Sequence, residues 1–429
     1  MKAFALRLAL SSLACVALFG ISPAFAKQDA SLKEEVQLLK TKIETLEKQI
    51  QKQNNETSST QTTESSVSPK DSGEIGNLLQ GLSANPPPGD SSRSVGLWKY
   101  PINRSGAARL IPDISFIPSF AFAYFSEDPS EETGHDPART GFTFQEIEMA
   151  IQSVIDPYFR GDIFLSFHEE GVELEEGYFT VLALPKGMGI RGGKFFIPFG
   201  RQNQKHMHNW SFADNTLVNK QLLGPEALSE LGLETSYLFP IPTFLQLQAT
   251  FSNGDNETSF GGERKQDFLY NARLSTSFDL SRDLTMLIGA STAIGFNASE
   301  AGNKTYLFGS DLFLRWRPSA QQSLSWQTEY IFRRMQVPGD VLNDGGLYSY
   351  IEYQFARRWR SALRYDQMGL PSSVFKKQFR ITPAISFDPT EFSRIRLQYE
   401  YDKIPNQEAS HAVIMQLQFS MGPHGAHPF

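Results

Sequence analysis

The stretch Phe268-Leu269-Tyr270-Asn271-Ala272-Arg273-Leu274-Ser275-Thr276-Ser277-Phe278 decides the fold of this chain. Its even positions are apolar or small, and its odd positions are mostly polar. A period of two is that of a β-strand with one apolar face and one polar face. The same alternation runs through residues 243–253, 321–336, 391–403 and 409–420. Stretches of about nine to twelve residues are long enough to cross a bilayer as tilted strands.

Counting these stretches predicts an all-β fold, a transmembrane antiparallel β-barrel of about sixteen strands within residues 110–429. A soluble sandwich would use shorter strands and would bury its aromatic face in a core. Here the apolar face ends in aromatics such as Tyr124, Trp316 and Tyr401, which is typical of an interfacial girdle. An even strand number lets both chain termini of the barrel face the periplasm. The predicted strands are 112–125, 141–156, 158–169, 172–185, 188–198, 227–239, 243–253, 266–279, 283–297, 303–317, 321–336, 346–357, 358–368, 375–388, 391–403 and 409–420.

The composition and the N-terminus set the class and the compartment. A mean hydropathy of −0.32 excludes a polytopic helical membrane protein. Residues 1–26 read as a signal peptide, with Lys2 and Arg7 before an apolar run and Ala24-Phe25-Ala26 as the cleavage site; an uncleaved anchor is the alternative. Cleavage would remove Cys15, the single cysteine, and would leave a mature chain with no disulfide. The acidic net charge of −7 for the whole chain argues against nucleic acid as a partner.

Residues 27–53 predict a short α-helical coiled coil ahead of the barrel. Apolar residues recur at heptad spacing, and the g–e pairs Glu35–Lys40 and Lys42–Glu47 are opposite in sign, which favours a parallel homo-oligomer. The alternative is an amphipathic helix packed on its own domain. Residues 54–109 are rich in Ser, Thr, Gln and Pro and predict a disordered linker. The heptad residues are Leu32, Val36, Leu39, Ile43, Leu46 and Ile50.

The polar face of the predicted strands should line the lumen, and arginine dominates it. An arginine-rich passage favours anions. The alternative is that these arginines pair with wall carboxylates and hold the shape of the barrel. Two further cations, Arg201 and Lys205, lie in a long loop. The predicted pore-lining and selectivity residues are Arg201, Lys205, Arg273, Arg315, Arg333, Arg360, Arg364, Arg380, Arg394 and Arg396.

That loop follows the fifth predicted strand, which ends in Gly193-Lys194-Phe195-Phe196-Ile197-Pro198-Phe199-Gly200. A polar stretch, about 201–220, separates it from the sixth strand. It is the third external connection, and we expect it to fold into the lumen and to narrow a channel that sixteen strands would otherwise leave wide. The alternative is a loop that covers the mouth from outside.

The segment from Arg191 to Gly200, with its polar loop and then Gly232-Leu233-Glu234, resembles the phosphate-selective porin O and P family. That family has a Gly-Lys/Gln-Phe pattern ending in Pro-Phe-Gly, a long loop and a glycine at the next strand. The resemblance covers 190–235 in motif and about 110–420 in architecture. It implies a trimeric sixteen-stranded outer-membrane channel for anions, with phosphate as a candidate solute. A coiled coil before the barrel is also similar to that of sugar-specific porins, so a neutral solute stays open.

Two histidine pairs suggest a zinc- or copper-related channel as a further alternative. His206 and His208 lie in the loop, and His424 and His427 lie in the tail; neutral imidazoles bind both metals. Solvated polar loops are the simpler interpretation. We predict no catalytic residue and no cofactor.

A barrel enzyme is the remaining rival class. Ser166 and His168 share one strand face with Asp162, but the spacing gives a nucleophile no support. The predicted partners are other copies of the chain, outer-membrane lipid, small anionic solutes and the barrel assembly machinery. This last partner is suggested by Phe419 and Phe429 at the C-terminus. The predicted location is the bacterial outer membrane, with the N-terminal segment in the periplasm.

Overall fold

A computed structural model describes residues 112–127, 134–256, 258–262 and 267–422. The predicted segments 1–26, 27–53 and 54–109, like the histidines at 424 and 427, lie outside the described residues. The described chain forms sixteen strands and one α-helix, α1 (Leu217–Leu223). The strands are β1 (Asp113–Phe125), β2 (Gly141–Val154), β3 (Phe159–Phe167), β4 (Val172–Val181), β5 (Met188–Phe196), β6 (Ser229–Leu238), β7 (Phe244–Ser252), β8 (Leu269–Asp279), β9 (Leu284–Phe296), β10 (Lys304–Ser319), β11 (Gln322–Val337), β12 (Asp340–Ala356), β13 (Trp359–Met368), β14 (Gln378–Thr390), β15 (Ser393–Lys403) and β16 (Ala409–Phe419).

The strands form one closed barrel. Each pairs antiparallel with its neighbours in sequence, and β1 pairs with β16 from Ser119 opposite Gln418 to Phe125 opposite Ala412. Closure matters because a spanning sheet in lipid can leave no edge N–H or C=O unpaired. The prediction of a sixteen-stranded antiparallel barrel is confirmed.

One predicted boundary was clearly wrong. β12 begins at Asp340, six residues before the predicted start at 346. The hairpin turn is the two-residue connection Pro338-Gly339, where Gly339 has φ 75°. Asp344 lies within the strand and binds Arg333 across the β11–β12 pair at 3.1 Å.

The two ends of the barrel differ in the length of their connections. The turns after the even-numbered strands are short, such as residues 320–321 and 391–392. The connections after β1, β5 and β7 are long, and residues 197–228 after β5 are the longest. In outer-membrane barrels the short turns face the periplasm and the long loops face outward.

The alternation of side chains matches the sequence pattern. In β8, Tyr270 and Leu274 point outward with 55% and 46% exposure, whereas Arg273 between them points inward with 4%. The aromatics Tyr124, Trp316 and Trp359 are exposed on the outer face. The outer surface is therefore apolar, as a surface in contact with lipid must be.

Residues 197–228, hereafter the inner loop, fold into the barrel. The loop contains a 3₁₀ turn at Met207–Asn209 and the helix α1. Its apolar side chains form a buried core with inward-pointing wall residues, which departs from the polar inward face that the strand pattern predicts. Those wall residues face the loop rather than water. They are Leu269, Ala293, Leu307, Ile331, Tyr348, Tyr350, Met368 and Ala384.

Candidate functional site

The inner loop starts where two glycines permit sharp changes of direction. Gly193 of β5 has φ 137°, and a Cβ there would overlap the carbonyl oxygen of Gly177. Gly200 has φ 61°, and a Cβ would lie 2.6 Å from Glu329 Oε2. Only glycine adopts such a backbone without strain. The glycine motif of the sequence therefore turns the chain inward against β11.

Backbone groups of the inner loop find partners on distant strands. Glu329 Oε1 of β11 accepts the N–H groups of Arg201 at 2.6 Å and Gln202 at 2.7 Å. Ser291 Oγ of β9 accepts the N–H of Gly200 at 3.0 Å. Asn203 closes the base of the loop, donating to the carbonyl of Leu228 and accepting its N–H. These bonds satisfy a loop backbone that is removed from water.

An ion-pair network fixes the far end of the inner loop to β13 and β14. Asp214 Oδ2 lies 2.5 Å from Arg364 and 3.4 Å from Arg380, and Gln398 donates to Oδ1 at 2.8 Å. Burial alone would raise the pKa of Asp214, but Arg364, Arg380 and Lys220 lower it to about 2. Asp214 is therefore an anion at neutral pH, and it holds the loop to the wall.

The helix α1 packs its apolar side against β11, β12 and β13. Leu217, Val218 and Leu222 are completely buried. Asp366 Oδ1 of β13 accepts the N–H of Leu217 at the start of the helix, at 3.1 Å. Each such apolar side chain contributes about 1.5–3 kcal/mol when it leaves water. The inner loop is therefore held by packing as well as by polar contacts, which agrees with the expected inward fold.

Six of the predicted pore-lining arginines have carboxylate partners. Arg364 is shared between Asp214 and Asp366, and Arg360 and Arg394 share Asp388. These contacts agree with the alternative interpretation, in which the arginines pair with carboxylates of the wall and hold the shape of the barrel. The remaining pairs are Arg273 with Asp311, Arg333 with Asp344 and Arg380 with Asp402.

Three other predicted cations contact neutral acceptors. Arg201 Nε and Lys205 Nζ donate to Gln327 Oε1 at 3.2 and 3.0 Å. Arg396 donates to Gln416 Oε1 at 2.5 Å and to the carbonyl of Trp210 at 2.8 Å. Burial, and then the charge of Arg201, lower the pKa of Lys205 to about 7. Burial likewise lowers the pKa of Arg201.

The tenth predicted residue, Arg315 of β10, lies within electrostatic range of Arg201, Arg317 and Glu352. This side of the lumen therefore concentrates positive charge around the start of the inner loop. Arg201 also stacks on the ring of Phe313, with Cζ 4.1 Å from the centroid.

The opposite side of the inner loop faces a wall of buried carboxylates. His206 and His208 are 7% and 3% exposed, so they are not solvated loop residues. With His135 of the β1–β2 connection they form the histidine–glutamate cluster, which also comprises Glu146 and Glu148 of β2 and Glu175 and Glu176 of β4. Burial alone would lower the pKa of His206, but Glu148, Glu175 and Glu176 raise it well above its usual value. This wall therefore attracts cations.

The residues considered for a barrel enzyme are not arranged as a catalytic relay. Ser166 Oγ donates to Glu146 Oε2 at 2.7 Å. His168 Nδ1 lies 3.2 Å from the carbonyl oxygen of Gln145, and Asp162 binds Arg160 at 2.6 Å. Each of the three side chains is thus committed to a different partner.

Comparison with known proteins places the chain among barrel proteins. No family model matches it. An uncharacterized protein of Aquifex aeolicus strain VF5 is 32% identical over 394 residues, covering 78% of this chain and 83% of that protein. The chain belongs to the same family as this Aquifex protein.

Solved structures share the barrel fold at low sequence identity. The anion-selective porin from Comamonas acidovorans has a TM-score of 0.52 at 10% identity, over 72% of this chain and 99% of that one. A loop L8 deletion mutant of OmpT, an outer membrane protein of Vibrio cholerae, has a TM-score of 0.51 at 9% identity, with the same two coverages. OmpT in its trimer form scores 0.50 at 9% identity. These likenesses establish an outer-membrane barrel fold.

Among the described residues, no helix has both the length and the apolar character needed to span a membrane.

Sequence reasoning missed His135 and the four glutamates of the cluster. Glu146 and Glu148 share a strand face and could have been found by their period of two. Glu175 and Glu176 are adjacent, and both are buried because the β3–β4 register shifts after Phe164, which leaves Glu175 without an opposite residue. Such a bulge turns one extra side chain inward. No sequence signal marks it.

Proposed function

We propose that this protein is a porin of the bacterial outer membrane, through which small anionic solutes diffuse. The observation that carries the proposal is the group formed by Arg201, Lys205 and Arg396, whose side chains donate to neutral acceptors inside the barrel. Positive charge that is not bonded directly to a carboxylate lowers the energy of an anion in a narrow aqueous passage. The fold shared with the anion-selective porin of Comamonas acidovorans supports the same conclusion.

We assign different roles to the ten predicted cations. Arg201, Lys205 and Arg315, together with the buried Arg396, set the positive potential of the lumen through which a solute passes. The six cations with carboxylate partners keep the wall and the inner loop in place. These six are Arg273, Arg333, Arg360, Arg364, Arg380 and Arg394.

The test is the reversal potential of the full-length protein in planar bilayers under a KCl gradient. We expect the wild type to favour chloride over potassium several-fold. Replacing Arg201 and Arg396 together by glutamine should move the reversal potential towards zero, because two fixed positive charges leave the lumen while hydrogen-bonding groups remain.

The matched control is Arg282→Gln, since Arg282 lies exposed on the turn between β8 and β9. It should keep the selectivity of the wild type. A preference of the wild type for potassium would contradict the proposal. If correctly folded protein shows no conductance but hydrolyses lipids or peptides, the result would favour an enzyme.

Phosphate is the specific anion that the sequence motif suggests, with Arg201 and Lys205 of the inner loop as its contacts. Phosphate should then block the chloride current at concentrations well below those of the carried salt. Block by a neutral sugar but not by phosphate would instead favour the sugar-porin alternative.

The proposal includes an oligomer and a location. We infer a homo-oligomer, most simply a trimer, embedded in outer-membrane lipid after insertion by the barrel assembly machinery. The segment 27–53 would lie in the periplasm as a coiled coil, after removal of the signal peptide 1–26. The trimer form of OmpT supports the oligomer by likeness of fold.

A further inference from the structure

Four glutamates of the histidine–glutamate cluster are buried together. Glu146, Glu148, Glu175 and Glu176 are between 0% and 6% exposed. Each of the four forms an ion pair with at least one imidazole of the same cluster. Buried charges in proteins are paired or coordinate metal ions. Metal ions that displace the imidazole protons would balance the charge of these carboxylates in their place.

Imidazole and carboxylate atoms converge in two places. In the first, a nitrogen of His135 and oxygens of Glu146 and Glu175 all lie within 4.8 Å of one another. In the second, the same holds for Glu148, Glu175 and His206. Glu175 belongs to both: its Oε1 lies 3.5 Å from His135 Nε2, and its Oε2 lies 3.2 Å from His206 Nδ1. One carboxylate therefore faces both groups, in the manner of a bridging ligand.

His135 points to a missing ligand. Its ring is 4% exposed, and neither Nδ1 nor Nε2 has a hydrogen-bond partner among the described residues. The nearest carboxylate oxygens, of Glu146 and Glu175, are 3.6 and 3.5 Å away, beyond good hydrogen-bonding distance. Within the same described ranges, Glu146 Oε1 is also buried without a hydrogen-bond partner. A cation held by one of these nitrogens and by the nearby carboxylate oxygens would give that nitrogen a partner.

Neighbouring groups orient the candidate metal ligands through hydrogen bonds, as they do in known metalloproteins. His206 Nε2 lies 2.8 Å from Glu176 Oε2, which leaves Nδ1 towards Glu148 and Glu175. Carboxylates that hold the second nitrogen of a ligating histidine fix its tautomer and its ring. Glu176 is itself held by the N–H of Phe196 at 2.8 Å. Ser166 holds Glu146, and the ring of His168 stacks on His135 at 4.9 Å.

A cavity of about 140 Å³ adjoins the cluster. It is lined by His135, Glu175 and His206, and also by Glu173 and Lys194. The side chains of these last two are 41% and 30% exposed, so the cavity has a polar, partly solvated side. At about 30 Å³ for each water, it has room for several water ligands.

We propose that the histidine–glutamate cluster binds two divalent transition-metal ions, one at His135, Glu146 and Glu175, the other at His206, Glu148 and Glu175. Mixed imidazole and carboxylate ligands suit ions such as Zn²⁺, whereas Ca²⁺ and Mg²⁺ favour oxygen ligands alone. The ions would join the β1–β2 connection, the inner loop and the wall. This site is independent of the proposed anion selectivity.

The experiment uses full-length protein with His424 and His427 replaced by alanine, so that the tail cannot chelate. The protein is treated with EDTA, incubated with Zn²⁺, dialysed at pH 7.5 and measured by inductively coupled plasma mass spectrometry. We expect two Zn²⁺ per chain. Glu175→Gln should lose both ions, while His135→Gln and His206→Gln should each lose one or bind it at least about tenfold more weakly.

Glu173→Gln is the matched control, because Glu173 lines the same cavity but belongs to neither ligand group; it should keep two ions. X-ray absorption at the zinc edge should show imidazole scattering in the wild type. If Glu175→Gln loses its β-sheet circular dichroism and is therefore unfolded, the zinc content of His135→Gln and His206→Gln decides whether the proposal holds. Wild type without Zn²⁺, unchanged binding in Glu175→Gln, or displacement of Zn²⁺ by equimolar Ca²⁺ or Mg²⁺ would overturn the proposal. A single ion that all three variants lose would overturn the two-ion arrangement.

Discussion

Asp214 shows how one residue decides where the inner loop lies. It is 3% exposed, and it faces Arg364 and Arg380 on the wall and Lys220 on α1, with Asp366 and Glu400 close by. Its pKa falls from 3.8 to about 2 on folding. That shift corresponds to roughly 2 kcal/mol of stabilisation. The charge of a single carboxylate thus contributes substantially to holding the loop.

This shift predicts a pH dependence. Because the folded pKa is depressed, the stabilisation is complete above about pH 4 and is lost as the pH falls towards about 2. We expect single-channel conductance to rise and fluctuate over that window as the inner loop loosens. Asp214→Asn should already conduct more at pH 7 and should respond less to acid.

Asp283→Asn, on the exposed turn between β8 and β9, is the control for this measurement and should behave as the wild type. Equal conductance of Asp214→Asn and wild type at pH 7 would mean that packing of α1 alone holds the loop.

At the scale of elements, the inner loop is held at two ends with different chemistry. Its start is fixed by backbone bonds to Glu329 and Ser291, and its end by ion pairs and by the burial of α1. Residues 204–210 lie between these anchors and carry Lys205, His206 and His208. The loop contacts β2 and β4 on one side of the barrel and β11 and β12 on the opposite side, so it crosses the lumen.

Replacing residues 204–210 by a Gly/Ser linker of equal length should therefore raise conductance several-fold, because the anchors remain while the ordered centre is lost. Single-channel recordings in planar bilayers measure it. The control replaces residues 405–408, an exposed connection between β15 and β16, and should leave conductance unchanged. Unaltered conductance in the loop variant would place the narrowest point elsewhere.

At the scale of the whole molecule, the open prediction is association through residues 32–50. β-branched residues at a and Leu at d favour two strands, whereas the family resemblance implies a trimer. Three heptads are marginal alone, so we expect contacts between barrels to set the number of copies. Tethering then raises the local concentration of the helices.

The variant Leu39→Cys, which changes a d position, should form disulfide-linked dimers within the native oligomer under mild oxidation. The signal-cleaved chain offers no other thiol. Thr41→Cys, on the opposite helix face, should cross-link much less. A monomer in native gels, with no disulfide from Leu39→Cys, would refute the association.

The sequence by itself determined the wall of this protein. Strand alternation around Tyr270 and Arg273 requires one apolar and one polar face, and strand length requires a membrane-spanning barrel. The number and order of strands follow because each hairpin is local in the chain. The glycines at 193 and 200 also marked where the inner loop leaves the wall.

Only the tertiary structure decided what happens inside. Arg364 binds Asp214, which is 150 residues away in the chain. His206 contacts Glu175, which lies in a β-bulge that the sequence pattern does not predict. Apolar residues such as Ile331 and Tyr348 point inward against the strand pattern because the inner loop covers them. The physical reason is that strand periodicity is a local property of the backbone. Which charges are paired in the lumen, and which stay available to a solute or a metal ion, depends on contacts between segments far apart in the chain.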